Sequence, residues 1–262
     1  MTILRSVNAR AFTYFALSLF IICAAWEWYA RSGLASTLLP APTSVFTNLV
    51  DALRDPFYVH GQNDKGIGLH LLASLGRVAI GFTIATLIAV PMGILIGLSP
   101  VAAKAIDPYI QVLRPVSPLA WLPIGLAFLR NSQATALFVI TISSLWPILL
   151  NTIFGVRGID KTYRDVAKTL GTSKWKTLTH VILPAAAPSI VNGLRVAIGI
   201  AWLVIIAAEM LIGGTGIGYF VWNEWNNLSI PSIVTAILVI GFVGFFFDRL
   251  FGLAHRAVAY DE

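Results

Sequence analysis

Three residues able to meet a charge recur at seven-residue steps in one apolar stretch: Arg195, Trp202 and Glu209. On a helix such steps fall on nearly one face. At 1.5 Å per residue, the fourteen positions from Arg195 to Glu209 separate the two charges by about 21 Å, too far for them to pair. A charge at bilayer depth costs at least ~2.5 kcal/mol on insertion scales, so each needs a partner or a polar path. Two readings stand. Either this face passes an ion, with Arg195 toward the inner end and Glu209 near an outer gate, or neighbouring helices satisfy each charge. Arg77 and Arg114 lie in other apolar stretches, so the interior is net positive and favours an anionic solute. The candidates for a translocation path are Arg114, Arg195, Trp202 and Glu209. Gly193, Ala197 and Ala201 add a seam of small residues for close helix packing.

Other chemistries find no support. No clustered carboxylates, histidines or nucleophile with its base mark an enzyme. His60, His70, His180 and His255 lack metal-ligand spacing, so no metal site is expected. The single cysteine, Cys23, excludes a disulfide within the chain. The run GGTGIG from Gly213 lacks the Gly-Lys-Ser/Thr ending of a phosphate loop. The chain is therefore expected to bind no cofactor, and any ATP would be used by a separate subunit.

The elements that must position these residues follow from composition. The 262 residues are 57% hydrophobic and 11% charged, against about 25% charged in soluble domains. Only a bilayer accommodates that much apolar surface. The pattern predicts an all-α integral membrane protein with about six transmembrane helices in one domain over residues 1–262. The spans fall at 11–28, 78–98, 109–129, 134–156, 190–212 and 231–247, the first read as an uncleaved span. A short turn holds Ser99, Pro100 and Lys104 between the second and third. The third span carries Arg114, Pro115, Pro118 and Pro123, so it is expected to be kinked or partly unwound and to line protein or a water-filled path.

An external segment over 31–70 holds a helix capped by Thr43 or Ser44, with Val45, Phe46, Leu49, Val50 and Leu53 on one face along the membrane surface. The HGQNDKG run that follows reads as a solvated loop more readily than as a docking rim. Residues 213–228 read as an aromatic outer loop. Eleven Lys and Arg fall in inner segments and four in outer ones, which places both termini in the cytoplasm. The net charge of +6 is clustered and not spread over an aromatic-bearing surface, so nucleic acid is not an expected partner.

That cluster is residues 157–188, where Arg157, Lys161, Arg164, Lys168, Lys174 and Lys176 oppose only Asp160 and Asp165. Asp160 suits a helix N-cap, Val166, Ala167 and Leu170 fall at helical spacing, and Gly171 suits a left-handed end. A second short helix can start at Thr172 or Ser173 with Trp175, Leu178, Val181 and Ile182 on one face, before Pro184 and Pro188 break it. Spacing and charge alone also suit a basic amphipathic segment resting on anionic lipid.

The run Asp165-Val166-Ala167, three residues, Gly171, nine residues, Val181-Ile182-Leu183-Pro184 resembles the cytoplasmic coupling loop of ABC importer permeases. The family pattern is Glu-Ala-Ala, three residues, Gly, nine residues, Ile-x-Leu-Pro. Asp165 replaces Glu, Val166 an Ala, and Val181 an Ile. From about residue 38 to 248 the chain resembles the permeases of nitrate, bicarbonate, sulfonate, taurine and cyanate importers. LLASLGRVAIGF at 71–82, LRPVSPLAWLPI at 113–124 and GLRVAIGIAWLVIIAAEM at 193–210 carry the likeness. DPFYVHGQNDKGIG at 55–68 is nearer the nitrate and bicarbonate branch.

The resemblance implies a type I ABC importer permease fold in a bacterial inner membrane. It implies a second copy of the permease, two cytoplasmic ATPase subunits and an extracytoplasmic solute-binding protein as partners. Asp165, Ala167, Gly171, Trp175, Leu183 and Pro184 would couple ATP hydrolysis to transport, with nitrate first among the solutes. A stand-alone secondary anion carrier or channel is the alternative, against which the large basic helix-turn-helix segment argues.

Overall fold

A computed structural model describes residues 2–32, 39–61 and 64–258, without side chains at 2–9 and 164. Of the HGQNDKG run, positions 62–63 lie outside the described residues. The elements are α1 (Thr2–Arg31), α2 (Pro42–Arg54), α3 (Ile67–Leu98), α4 (Pro100–Leu113), a 3₁₀ turn (Pro118–Trp121), α5 (Leu122–Leu129) and α6 (Ser132–Arg157). Then follow α7 (Lys161–Thr169), α8 (Lys174–Thr177), a π turn (Leu178–Ile182), α9 (Leu183–Ile212), α10 (Ile217–Asn226) and α11 (Ile230–Val258). Among the described residues, five helices are long and apolar enough to cross a membrane, and six if α4 and α5 together make one span.

By internal packing the chain falls into two units. The first comprises Met1–Ile67 and Val221–Val239. Here α1 leaves Phe12, Phe15, Phe20 and Ile22 exposed, the surface a lipid-facing helix presents. The expected Thr43 or Ser44 cap is absent. Pro42, whose ring presets a helical φ, opens α2 after Ala41, and no side chain caps it. Thr43 turns instead to Glu27 of α1 through its N–H (3.2 Å) and hydroxyl (3.0 Å), and the Ser44 hydroxyl donates back to the Ala41 carbonyl. Asn48 ties α2 to the start of α11, donating to Ser232 (3.2 Å) and accepting from Thr235 (2.9 Å). The 213–228 stretch is not wholly a loop, since α10 occupies most of it.

The second unit comprises Gly68–Phe220 and Ile240–Glu262. Its centre is the pairing of α6 with α9, flanked by α3. Lipid offers no hydrophobic drive to pair apolar helices, so close packing must do the work. Small residues permit it. A Cβ on Gly93 would come 2.6 Å from Thr152, and one on Gly193 2.7 Å from Asn151, both far inside normal contact. The Gly193-Ala197-Ala201 seam is buried. Ile140, Ile148 and Leu149 of α6 are fully enclosed.

Span boundaries and turns differ from the sequence reading in several places: α3 already begins at Ile67, ahead of residue 78, and α11 runs past 247 to Val258. Residues 109–129 form no single helix. Instead α4 and the Pro118–Leu129 segment meet at 89°, because Pro115 and Pro118 withhold two N–H donors across the break. The Ser99-Pro100-Lys104 turn is the start of α4, with the Ser99 hydroxyl accepting from the Ala102 N–H (3.2 Å). Pro184 and Pro188 do not break the chain, since one helical run extends over Lys174–Ile212. Widening to a π turn lets the Leu183 N–H reach back to the Leu178 carbonyl just before Pro184, and Pro184 then occupies the tolerated first turn of α9.

Candidate coupling segment and transport path

The polar segment between α6 and α9 folds as a helical hairpin from local signals. The Asp160 carboxylate accepts from the Thr162 N–H (2.8 Å) and hydroxyl (2.7 Å), capping α7. Those bonds, the backbone one foremost, hold the Asp160 carboxyl below the usual carboxylate range. Gly171 closes α7 at φ +64°, with Gly171 N–H bonded to the Lys168 carbonyl (3.0 Å) and Thr172 N–H to the Ala167 carbonyl (3.1 Å). This is the paired bonding of a Schellman end, and a left-handed residue is what it requires. Ser173 then caps α8 through the Lys176 N–H.

Ala167 is buried at the turn, whereas Tyr163, Val166, Leu170 and Trp175 are exposed, Leu170 by 73% and Trp175 by 71%. The apolar stripe therefore divides. Ile182 joins Val156, Ile159, Ala186 and Ile190 in a buried cluster against which Leu178 and Leu183 pack, and Trp175 stays outside. Asp165 is exposed beside Lys168 at 3.8 Å. Pro184 follows in the first turn of α9.

The three α9 residues at seven-residue steps enter three different environments. Glu209 is 2% exposed and paired with Arg77 of α3 at 2.6 Å. It also accepts from the Ser74 hydroxyl (2.8 Å) and the Gly218 N–H (3.1 Å). The Ser74 oxygen accepts the Ile217 N–H (2.8 Å), the His70 Nδ1 accepts the Gly216 N–H (3.0 Å), and Arg77 donates to the Thr215 carbonyl (2.6 Å). Four side chains thus hold the glycine-rich loop against α9, and a Cβ on Gly216 would collide with the Glu209 carboxylate. Trp202 is buried and donates to the Ile240 carbonyl (3.0 Å). Arg195 pairs with Asp248 of α11 at 2.7 Å.

Arg114 lies at the α4–α5 break. It lines a cleft of about 450 Å³ with Ser143, Trp146 and Asn151 of α6 and Val196 and Ile200 of α9. Among the described residues it makes no ion pair. The residues that sequence reasoning passed over are His70, Ser74 and Asp248. The first two could have been found with Arg77, since His70, Ser74 and Arg77 fall at i, i+4 and i+7 on one helix face.

Long apolar helices with a buried ion pair, a cleft at a broken helix, and a polar hairpin with an apolar outer face are the marks of a multi-pass membrane protein. The chain belongs to the family described as binding-protein-dependent transport system inner membrane component, which residues 89–260 match. It is 42% identical over 247 residues to the nitrate import permease protein NrtB of Synechocystis sp., covering 94% of this chain and 89% of that one. It is 44% identical over 237 residues to the bicarbonate transport system permease protein CmpB of the same organism, covering 89% and 84%. The fold matches that of an inward-facing MetNI methionine ABC transporter structure with a TM-score of 0.63 at 14% identity, covering 72% of this chain and 94% of that one. This is the type I ABC importer permease fold, in a multi-pass inner-membrane protein.

Proposed function

We propose that the chain is the membrane-spanning permease of an ATP-driven importer of a small anion, with nitrate first and bicarbonate, cyanate or sulfonates next. The observation that carries this is the likeness, over nearly the whole chain, to proteins named as nitrate and bicarbonate permeases. Two copies of the permease, two cytoplasmic ATPase subunits and an extracytoplasmic binding protein make up the working importer. ATP is bound and used in the ATPase subunits, and this chain holds no cofactor. The basic hairpin and both termini face the cytoplasm, as the distribution of Lys and Arg supports.

In this reading the exposed face of Tyr163, Val166, Leu170 and Trp175 is the dock for the ATPase, with Asp165 at its polar edge. Ala167 and Gly171 shape the turn, and Leu183 and Pro184 join the hairpin to α9. Movement of the dock enters the bilayer directly, because Lys174–Ile212 is one helical run. The solute path follows the Arg114 cleft, whose cation is left without a carboxylate. Arg195, Trp202 and Glu209 shape that path through the helices they fasten.

Uptake of labelled nitrate in cells carrying this chain with its neighbouring ATPase and binding-protein genes tests the proposal. Uptake that vanishes when the Walker lysine of the ATPase is mutated is the expected result. Uptake that persists in that mutant would instead assign a secondary carrier. Uptake of bicarbonate, cyanate or a sulfonate in place of nitrate keeps the importer and changes its solute.

A further inference from the structure

Behind the Arg195–Asp248 pair lies a second hollow of about 140 Å³. Arg195 of α9 forms one wall, and Asp248, Arg249, Gly252, Leu253, His255 and Arg256 of α11 form the rest. At about 30 Å³ per water, it holds four or five waters, or one tetrahedral oxyanion with partial hydration.

Its charge is unbalanced. The Asp248 charge is paired with that of Arg195, its Oδ1 accepting from both Nε (2.8 Å) and Nη2 (2.7 Å). Arg249 and Arg256 then face the hollow beside His255, with no further carboxylate among the described residues of its lining. Arg249, Gly252 and Arg256 fall at i, i+3 and i+7, so two guanidinium groups flank a position with no side chain. A Cβ on Gly252 would already touch the Arg195 guanidinium carbon at 3.8 Å, so a larger residue would fill the space. Arg249 is steadied with its guanidinium 4.9 Å from the centre of the Phe245 ring. Guanidinium groups bind phosphate by charge-assisted, often bidentate bonds.

We propose that this hollow is a binding site for a phosphate oxyanion, supplied by the headgroup of an anionic phospholipid. The lipid source is favoured because Phe246, Leu250 and Leu253 are exposed on the same turns of α11. They form an apolar flank that acyl chains can cover and that a free anion has no use for. Basic recesses at the ends of spanning helices are suited to such headgroups. The site is independent of which solute the chain passes.

Native mass spectrometry of the full-length chain in mild detergent tests this with separate titrations of phosphatidylglycerol, phosphatidylcholine and inorganic phosphate. Phosphatidylglycerol is expected to bind at concentrations where phosphatidylcholine does not. That preference should be lost in the Arg249→Gln/Arg256→Gln variant and in Gly252→Leu, which fills the hollow and keeps every charge. It should persist in Lys174→Gln/Lys176→Gln, which removes the same charge elsewhere. Inorganic phosphate that displaces phosphatidylglycerol, and fails to bind Gly252→Leu, would confirm the oxyanion site and assign it a soluble source. A lipid preference that survives Gly252→Leu, or falls equally in the Lys174/Lys176 variant, overturns the proposal. Thermal unfolding verifies that each variant is folded; should Gly252→Leu not be, the two charge variants decide.

Discussion

In the α7–α8 hairpin Val166, Leu170 and Trp175 face outward, exposed by 52%, 73% and 71%, while around Glu209 a full ion pair is shut inside with both partners at 12% exposure or less. One region leaves apolar groups unsatisfied and the other leaves no charge unsatisfied. The hairpin is stabilised by its own caps and can present a surface without depending on it for folding. The Glu209 cluster has no such independence, because every charge at that depth relies on another helix. Mutations should therefore separate the two regions by what they damage, stability in one and association in the other.

The largest effect is expected for Glu209→Ala. It strands Arg77 and releases Ser74 and the Gly218 N–H, and breaking a buried pair this way costs about 3–5 kcal/mol. Detergent-solubilised yield and the unfolding midpoint should both fall, and Arg77→Leu/Glu209→Leu should regain much of the loss. If the single variant is as stable as the parent, the contrast between the regions fails. Next is Gly171→Val, which forces a β-branched residue into φ +64° at about 1–2 kcal/mol. This should fray the end of α7, leave global unfolding unchanged, and separate ATP hydrolysis from uptake in the importer proposed above. Normal uptake by that variant would remove the α7 turn from coupling.

A smaller structural effect is expected for Leu170→Ser and Trp175→Ser, since exposed positions change stability by no more than about 0.5 kcal/mol. Co-purification of the ATPase subunit should nevertheless drop, and retained co-purification would relocate the dock. The smallest is a pH effect at Asp160. Its lowered carboxyl pKa means that the cap contributes above the unfolded-state carboxylate value and is lost as pH falls through the lowered folded one. Amide exchange at Thr162 should rise in that acid window, and in Asp160→Asn it should show no such step.

Local signals proved legible where a single residue sets the backbone. Asp160, Gly171 and Ser173 act through neighbours two to four positions away; the structure places the Asp160 cap and the Gly171 turn where the sequence put them, and of the two starts left open for α8, Thr172 or Ser173, it uses Ser173 as the cap. The proline-rich third span was legible as kinked or partly unwound, though the full break with its near-right-angle bend was not, since the angle depends on what packs against α4 and α5. Glu209 was visible as a charge in need of a partner, but the choice of Arg77, 132 positions earlier in the chain, is a property of helix packing. Asp248 was hidden differently. It falls just past the apolar end of its span, where a carboxylate looks like ordinary surface until Arg195 is found beside it. Pro184 misled because proline usually ends a helix, and the π turn that absorbs it leaves no signature in spacing.

That π turn is also a tolerance for length. It holds one more residue per turn than an α-helix does, so the additional position is taken up locally and the helix on either side keeps nearly the phase of regular winding. Deleting one position from Leu178–Ile182 would close the turn to α-helical winding and leave the outward face of Trp175 pointing nearly where it does now. The same deletion within the regular part of α9, where each residue turns the helix by about 100°, would swing everything before it by more than a quarter circle. The π turn is thus the place where the chain can lose a residue without redirecting the hairpin.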